Sequence, residues 1–179
     1  MKFLFSKKGL FIALIILLIL IAIFVDMRIG QRNYYNPFRK FAFELDFGAY
    51  GRNNVDTFRN LLTKDLVLSG PINTNFKFSG REKKEIFNRM YKMDILSYPL
   101  TLNDGFHDFE HPENYVLRVK IDNEEKTIYW SAPWSFFDED MDKLSDQQIA
   151  FKELVEYIKG IVYNSRKYKS LPAHEGGYL

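Results

Sequence analysis

Between Gly9 and Val25 the chain reads GLFIALIILLILIAIFV, 17 residues without a charge or a strong hydrogen-bonding side chain. A buried core helix normally keeps a polar face, and this run has none. As a helix it measures roughly 25 Å, the short end of what spans the hydrocarbon core of a bilayer. Phe3, Leu4 and Phe5 extend the apolar surface if Lys7 and Lys8 snorkel their ammonium groups to the interface. The competing identity is a cleaved signal peptide, whose apolar stretch is shorter, about 7–15 residues. The exit sequence Ile21-Ala22-Ile23-Phe24-Val25-Asp26-Met27-Arg28 also lacks a small-x-small cleavage site. The expectation is therefore an uncleaved signal-anchor: a short basic head over 1–8 and one single-pass transmembrane helix over 9–25. The chain has no cysteine, which excludes lipoprotein processing, disulfides, thiol nucleophiles and cysteine–metal sites.

Charge is unevenly placed along the 179 residues. Removing Lys2, Lys7 and Lys8 from 25 basic residues leaves 22 against 23 acidic ones, so everything from Asp26 onward is −1. That balance gives no electrostatic footprint for nucleic acid, and no nucleic-acid partner is expected. Arg28, Arg32, Arg39 and Lys40 follow the apolar run and nearly balance the lysines before it. Early apolar segments usually insert as signal-anchors, and long C-terminal domains translocate largely regardless of their own charge. The expected placement is the cell membrane, N-terminus inside and body outside, with the bilayer as first partner. Residues 26–40, DMRIGQRNYYNPFRK, form a polar linker: Gly30, Asn33, Asn36 and Pro37 discourage a continued helix.

The body, 41–172, is predicted to be α+β. Phe41, Phe43, Leu45 and Phe47 alternate with Ala42, Glu44 and Asp46, as in a half-buried strand. Gly48 and Gly51 mark a turn or bulge. Val55 to Leu68 fits a helix face through Phe58, Leu61 and Leu62, or a hairpin through Thr57, Thr63 and Val67; strand pairing is the favoured choice. After a turn at Ser69-Gly70-Pro71, alternation resumes at Ile72, Thr74, Phe76 and Phe78. Ser79-Gly80-Arg81-Glu82 is a capping box opening a helix to about Asp94, with Ile86, Phe87, Met90 and Met93 at core spacing. Tyr115, Leu117, Val119 and Ile121 alternate again, Asp122 to Glu125 makes a hairpin turn, and Lys126 to Ser131 returns. From Ser145 to Ser165 a longer helix carries Phe151, Leu154, Val155, Ile158, Ile161 and Val162 as one stripe. The architecture expected is an antiparallel sheet with two amphipathic helices packed on one face. The 17% aromatic content is then first a packing property of the strands. The tail, 173–179, is expected to fray; the alternative is that it pairs as an extended strand or docks its aromatic ring.

Two clusters carry candidate metal chemistry. His107-Asp108-Phe109-Glu110-His111 matches H-x-x-E-H, which in zinc peptidases needs both imidazoles on one face of a stable helix. Gly105 and Pro112 bound an interval too short for such a helix, so a polar loop is expected, with His174 or Glu175 the third ligand were a metal held there. Asp138, Asp140 and Asp142 begin like a calcium loop, but Lys143 and Ile149 stand where an EF-hand needs glycine and glutamate. An acidic, solvated loop before a helix is expected instead. There is no G-x-S-x-G, P-loop, G-x-G-x-x-G or S-x-x-K. No catalytic residue and no cofactor is assigned.

Thr63-Lys64-Asp65-Leu66-Val67, the Ser79-x-x-Glu82 helix, Tyr98-Pro99, Leu171-Pro172 and Gly176-Gly177-Tyr178 together resemble small extracytoplasmic, membrane-anchored proteins of low-GC Gram-positive bacteria, a family without an assigned activity. The resemblance implies location and fold, and transfers no catalytic residue. The absence of cysteine departs from the lipid-anchored members. The function expected is a membrane-tethered extracytoplasmic binding or accessory module whose partner is another membrane or envelope component, or a small ligand. The alternative is a small envelope hydrolase or metal-dependent enzyme.

Overall fold

The computed structural model describes Leu10, Ile16, Leu17 and residues 40–102, 113–132 and 144–178. Residues 1–36 and 37–179 make two separate compact parts. In the first, Leu10, Ile16 and Leu17 are helical, and all three side chains are exposed. The rest of the apolar run and most of the linker lie outside the described residues. Among the described residues no helix is long and apolar enough to cross a membrane.

The second part is α+β. Its six strands are β1 (Ala42–Phe47), β2 (Asn53–Asp56), β3 (Leu61–Asp65), β4 (Pro71–Asn75), β5 (Glu113–Ile121) and β6 (Glu124–Ala132). They form one antiparallel sheet in the order β4-β3-β2-β1-β5-β6. Two helices, α1 (Gly80–Lys92) and α2 (Asp146–Asn164), cover one face, and a short α3 (Arg166–Lys169) follows α2. The ambiguous stretch after Val55 is a hairpin. The Asp56 side chain accepts the backbone N–H of Phe58 at 2.6 Å and of Arg59 at 3.0 Å, which makes a turn cheaper than the first turn of a helix. Asn60 completes that turn at φ 55°.

The period-two pattern of β1 is realised fully. Phe43, Leu45 and Phe47 are completely buried on the helix side, while Glu44 and Asp46 point to the other face. Ring pairs join the layers: Phe41 to Phe87 at 5.2 Å, Phe47 to Tyr163 at 6.0 Å and Trp130 to Phe151 at 5.8 Å between centroids. Such edge-to-face contacts add to area burial. Both helices open with complete capping boxes, Ser79 with Glu82 and Ser145 with Gln148, each satisfying two otherwise orphaned backbone donors. Gln148 also donates from Nε2 to the Leu102 carbonyl at 2.7 Å. That bond ties α2 to the segment that covers the outer edge of β6, where Leu100 and Leu102 pair with Tyr129.

Three local expectations are corrected. β4 ends at Asn75, not Phe78: Phe76 and Phe78 have left the ladder but still turn their rings onto the core. The β5–β6 turn is only Asp122-Asn123, because Asp122 adopts φ 56° and lets Glu124 and Glu125 join the ladder. The tail does not fray. Glu175 bridges Val67 in parallel, exchanging backbone bonds with Leu66 and Leu68, and its carboxylate accepts from Ser69. Tyr178 donates to the buried Asp65 and sets its ring 5.5 Å from Tyr50. The cause is a set of donors and acceptors left open after β3: Asp65, the backbone of Leu66 and Leu68, and Lys64. Lys64 donates to the Pro172 carbonyl at 2.6 Å with its ammonium over the Tyr168 ring.

Gly160 sits inside α2 with nothing within 4 Å of a Cβ placed there, at the edge of a groove of about 580 Å³ lined in part by Phe76, Tyr157 and Ile161. Glycine in a helix interior is disfavoured relative to alanine by roughly 0.5–1 kcal/mol. Gly160→Ala is expected to stabilise the body by that amount, seen as a higher urea midpoint; a loss of stability would mean that the space is needed.

Candidate functional site

The face of the sheet without helices is polar around Glu44 and Asp46 of β1, because most of their cross-strand partners are polar. Glu44 lies opposite Asp56 on β2 and Arg118 on β5; Asp46 lies opposite Asn54 and Val116. Most of these charges neutralise one another. Arg59 pairs with Asp56 and Glu44, and Arg118 pairs with Glu44 at 3.3 Å and Glu125 at 2.8 Å. Burial alone would raise the Asp56 pKa, but the Arg59 guanidinium and the Arg59 and Phe58 amides outweigh it and hold the carboxyl below the usual aspartate value.

Asp46 is the exception. Among the described residues it has no cationic partner, and its one hydrogen bond is from Asn54 Nδ2 at 2.6 Å. Burial pushes its pKa up, the Asn54 bond opposes this, and the Glu44 and Asp56 carboxylates push it further up. Asn54 Nδ2 also donates to Glu44 at 3.2 Å, which turns the amide so that its carbonyl oxygen is buried without a partner among the described residues. The fold thus carries a carboxylate that would be more stable neutral, together with a stranded amide oxygen of the residue that holds it. Such costs concentrate at functional sites.

Asp46 opens onto a groove of about 320 Å³, near the small end of ligand sites. Its walls include Tyr50, Thr101, Asn114, Val116, Tyr129 and Ser131. Tyr129 projects from edge strand β6 and is 46% exposed; Tyr50 is 44% exposed in the β1–β2 loop. Tyr50 holds φ 54°, a conformation that a bulky side chain rarely adopts. The loop is set up by Gly48, at φ 83°, where a Cβ would come within 2.8 Å of the Asn53 amide. Such a conformation persists only where the surrounding structure fixes it.

Asp46→Asn is expected to raise stability at neutral pH. Its folded pKa lies above the usual 3.8, so ionisation opposes folding once pH exceeds that raised value, and the penalty disappears as pH falls through it. A higher urea midpoint for Asp46→Asn at neutral pH, converging with the parent below pH 3.8, is the expected result; a lower midpoint at neutral pH would refute it.

A second polar cluster lies between α2 and β5. Lys159, 7% exposed, pairs with Glu156 at 2.7 Å and Glu113 at 3.7 Å, above the ring of Tyr115, whose phenol donates to Glu113. Burial pushes the Tyr115 and Tyr163 phenols upward, so both stay neutral at ordinary pH. Every charge here has a counter-charge, and the cluster fastens the helix to the strand.

The metal candidates His107, His111, Asp138, Asp140 and Asp142 lie outside the described residues. His174 is described, as is Glu175, whose carboxylate is engaged with Ser69. Among the described residues no three histidine, aspartate or glutamate side chains converge as a metal-binding set. Sequence reasoning did not single out Asp46 or its groove. Asp46 looked like any outward position of a strand, and its neighbours come from residues 50–54, 101, 114–116 and 129–131. Its one legible signal was an outward-facing acid within an aromatic-rich core strand. Compared with known families and curated proteins, the chain matches no family model and no curated sequence.

Proposed function

We propose that the chain is a membrane-tethered, extracytoplasmic binding or accessory module, held by a single helix over 9–25 and presenting the helix-free face of its sheet. The observation that carries the binding role is the half-buried Asp46 carboxylate, unpaired by any cation among the described residues and set in a groove between two exposed tyrosines. A purely structural face would neutralise that charge, as it does at Glu44, Asp56 and Glu125. Tethering is supported by the uncharged run and by the exposed, apolar, helical Leu10, Ile16 and Leu17, a surface suited to lipid rather than water. The bilayer is the first partner; an envelope component or small ligand is the second.

The test is extraction. The full chain should remain in the membrane pellet after an alkaline carbonate wash and leave only with detergent, at the mass of all 179 residues. Release by carbonate, or a mass shortened by the first 25 or so residues as after signal cleavage, would overturn the tethered reading.

A further inference from the structure

We propose that the Asp46 groove binds a neutral, hydroxyl-rich ligand, a sugar ring of a saccharide chain; this rests on the binding-module reading above. The groove offers donors and acceptors side by side. Asp46 accepts from Asn54 through one oxygen, and its other oxygen has no partner among the described residues. Asn114 accepts from Ser131 through Oδ1 at 2.9 Å, which fixes the amide and leaves Nδ2 to donate. The hydroxyls of Thr101 and Tyr129 have no partner among the described residues and can do either. Between them lies the apolar surface of Val116 and the exposed ring of Tyr129. A sugar ring has matching chemistry: hydroxyls that donate and accept around its rim, and C–H faces that pack on aromatic rings.

The other ligand classes fit less well. An organic cation needs acceptors and open aromatic faces, but Arg52 already stands 5.7 Å from the centre of the Tyr50 ring and 5.1 Å from that of Tyr178. Arriving cations would meet a like charge there. An anion would meet Asp46, with Glu44 and Asp56 behind it. A folded partner is too large for a groove of about 320 Å³, whereas a small ligand or a stretch of polymer is not.

The experiment uses the full chain in a detergent without a sugar headgroup, since a glycoside detergent would itself occupy the site. The probes are chitotetraose, maltotetraose and cellotetraose as neutral saccharides, choline as a cation and inorganic phosphate as an anion, followed by saturation-transfer NMR and tryptophan fluorescence. At least one saccharide should saturate. Asp46→Asn and Tyr129→Ala should each weaken it about tenfold, the loss expected when a hydrogen bond to a charged acceptor or a stacking ring is removed. Lys77→Ala, on the far groove, should leave it unchanged. Should Tyr129→Ala fail to fold, Asp46→Asn decides alone, because it should fold at least as stably as the parent. Saturation by choline or phosphate with no saccharide binding, no binding by any probe, or saccharide binding indifferent to Asp46→Asn would each overturn the proposal. None of those results would remove the chain from the membrane, so failure here and failure of the tethered reading are separable.

Discussion

Leu154→Ala is expected to destabilise the body by about 2–5 kcal/mol, as deletion of a fully buried leucine side chain usually does. Leu154 is 2% exposed, in the middle of the α2 stripe with Phe151, Val155 and Ile158, in the layer between helix and sheet. The Gln148 bond to Leu102 and the Lys159 pair with Glu113 tie α2 to its neighbours, which limits how far the helix can settle into the cavity. Equilibrium urea unfolding should show a lower midpoint at unchanged slope, the sign of lost stability rather than altered compactness. A cost below about 1 kcal/mol would mean that α2 does not seal the sheet.

Asp56→Ala is the second large effect, about 2–3 kcal/mol at neutral pH. One buried carboxylate there receives two backbone N–H groups and the Arg59 guanidinium, and it closes the β2–β3 turn. Hydrogen bonds to a charged acceptor contribute more than neutral ones, and removing it strands both amides. The pH dependence follows from the lowered folded pKa. The contribution of Asp56 is present above the usual value of 3.8 and is lost as pH falls through its lower folded value, so parent and variant should converge in acid. This is opposite in sign to Asp46, which lies on β1 two residues along from Glu44, the partner of Asp56, and whose ionisation opposes folding. A pair of aspartates on one face with opposite acid responses is measurable in one series of unfolding curves.

What could be read from the sequence was whatever repeats with a local period. Phe41 to Phe47 announced a half-buried strand, and Ser79 with Glu82 announced the start of α1 before any contact was known. The Phe151 to Val162 stripe likewise placed α2 on the sheet. Docking of the tail was legible only as the alternative to fraying, because Gly176-Gly177-Tyr178 has no period. Its docking depends on Asp65 and on the backbone after β3, roughly a hundred positions earlier, and loop closure over such distances costs only slowly more with length. Phe76 and Phe78 kept the alternation of a strand after the ladder had ended, since aromatic side chains turn to a core with or without pairing partners. The groove escaped for a different reason. Its chemistry arises from the absence of a counter-charge at Asp46 among the described residues, and that absence appears only once Arg59 and Arg118 are seen to be committed to Glu44, Asp56 and Glu125.

The most direct test of the proposed placement is protease added to intact protoplasts. The tethered, outward-facing arrangement requires that the body, 41–179, be digested or released while a small fragment containing 9–25 stays with the membrane. Full protection of the body until the cells are lysed would put it on the inner side and contradict the account.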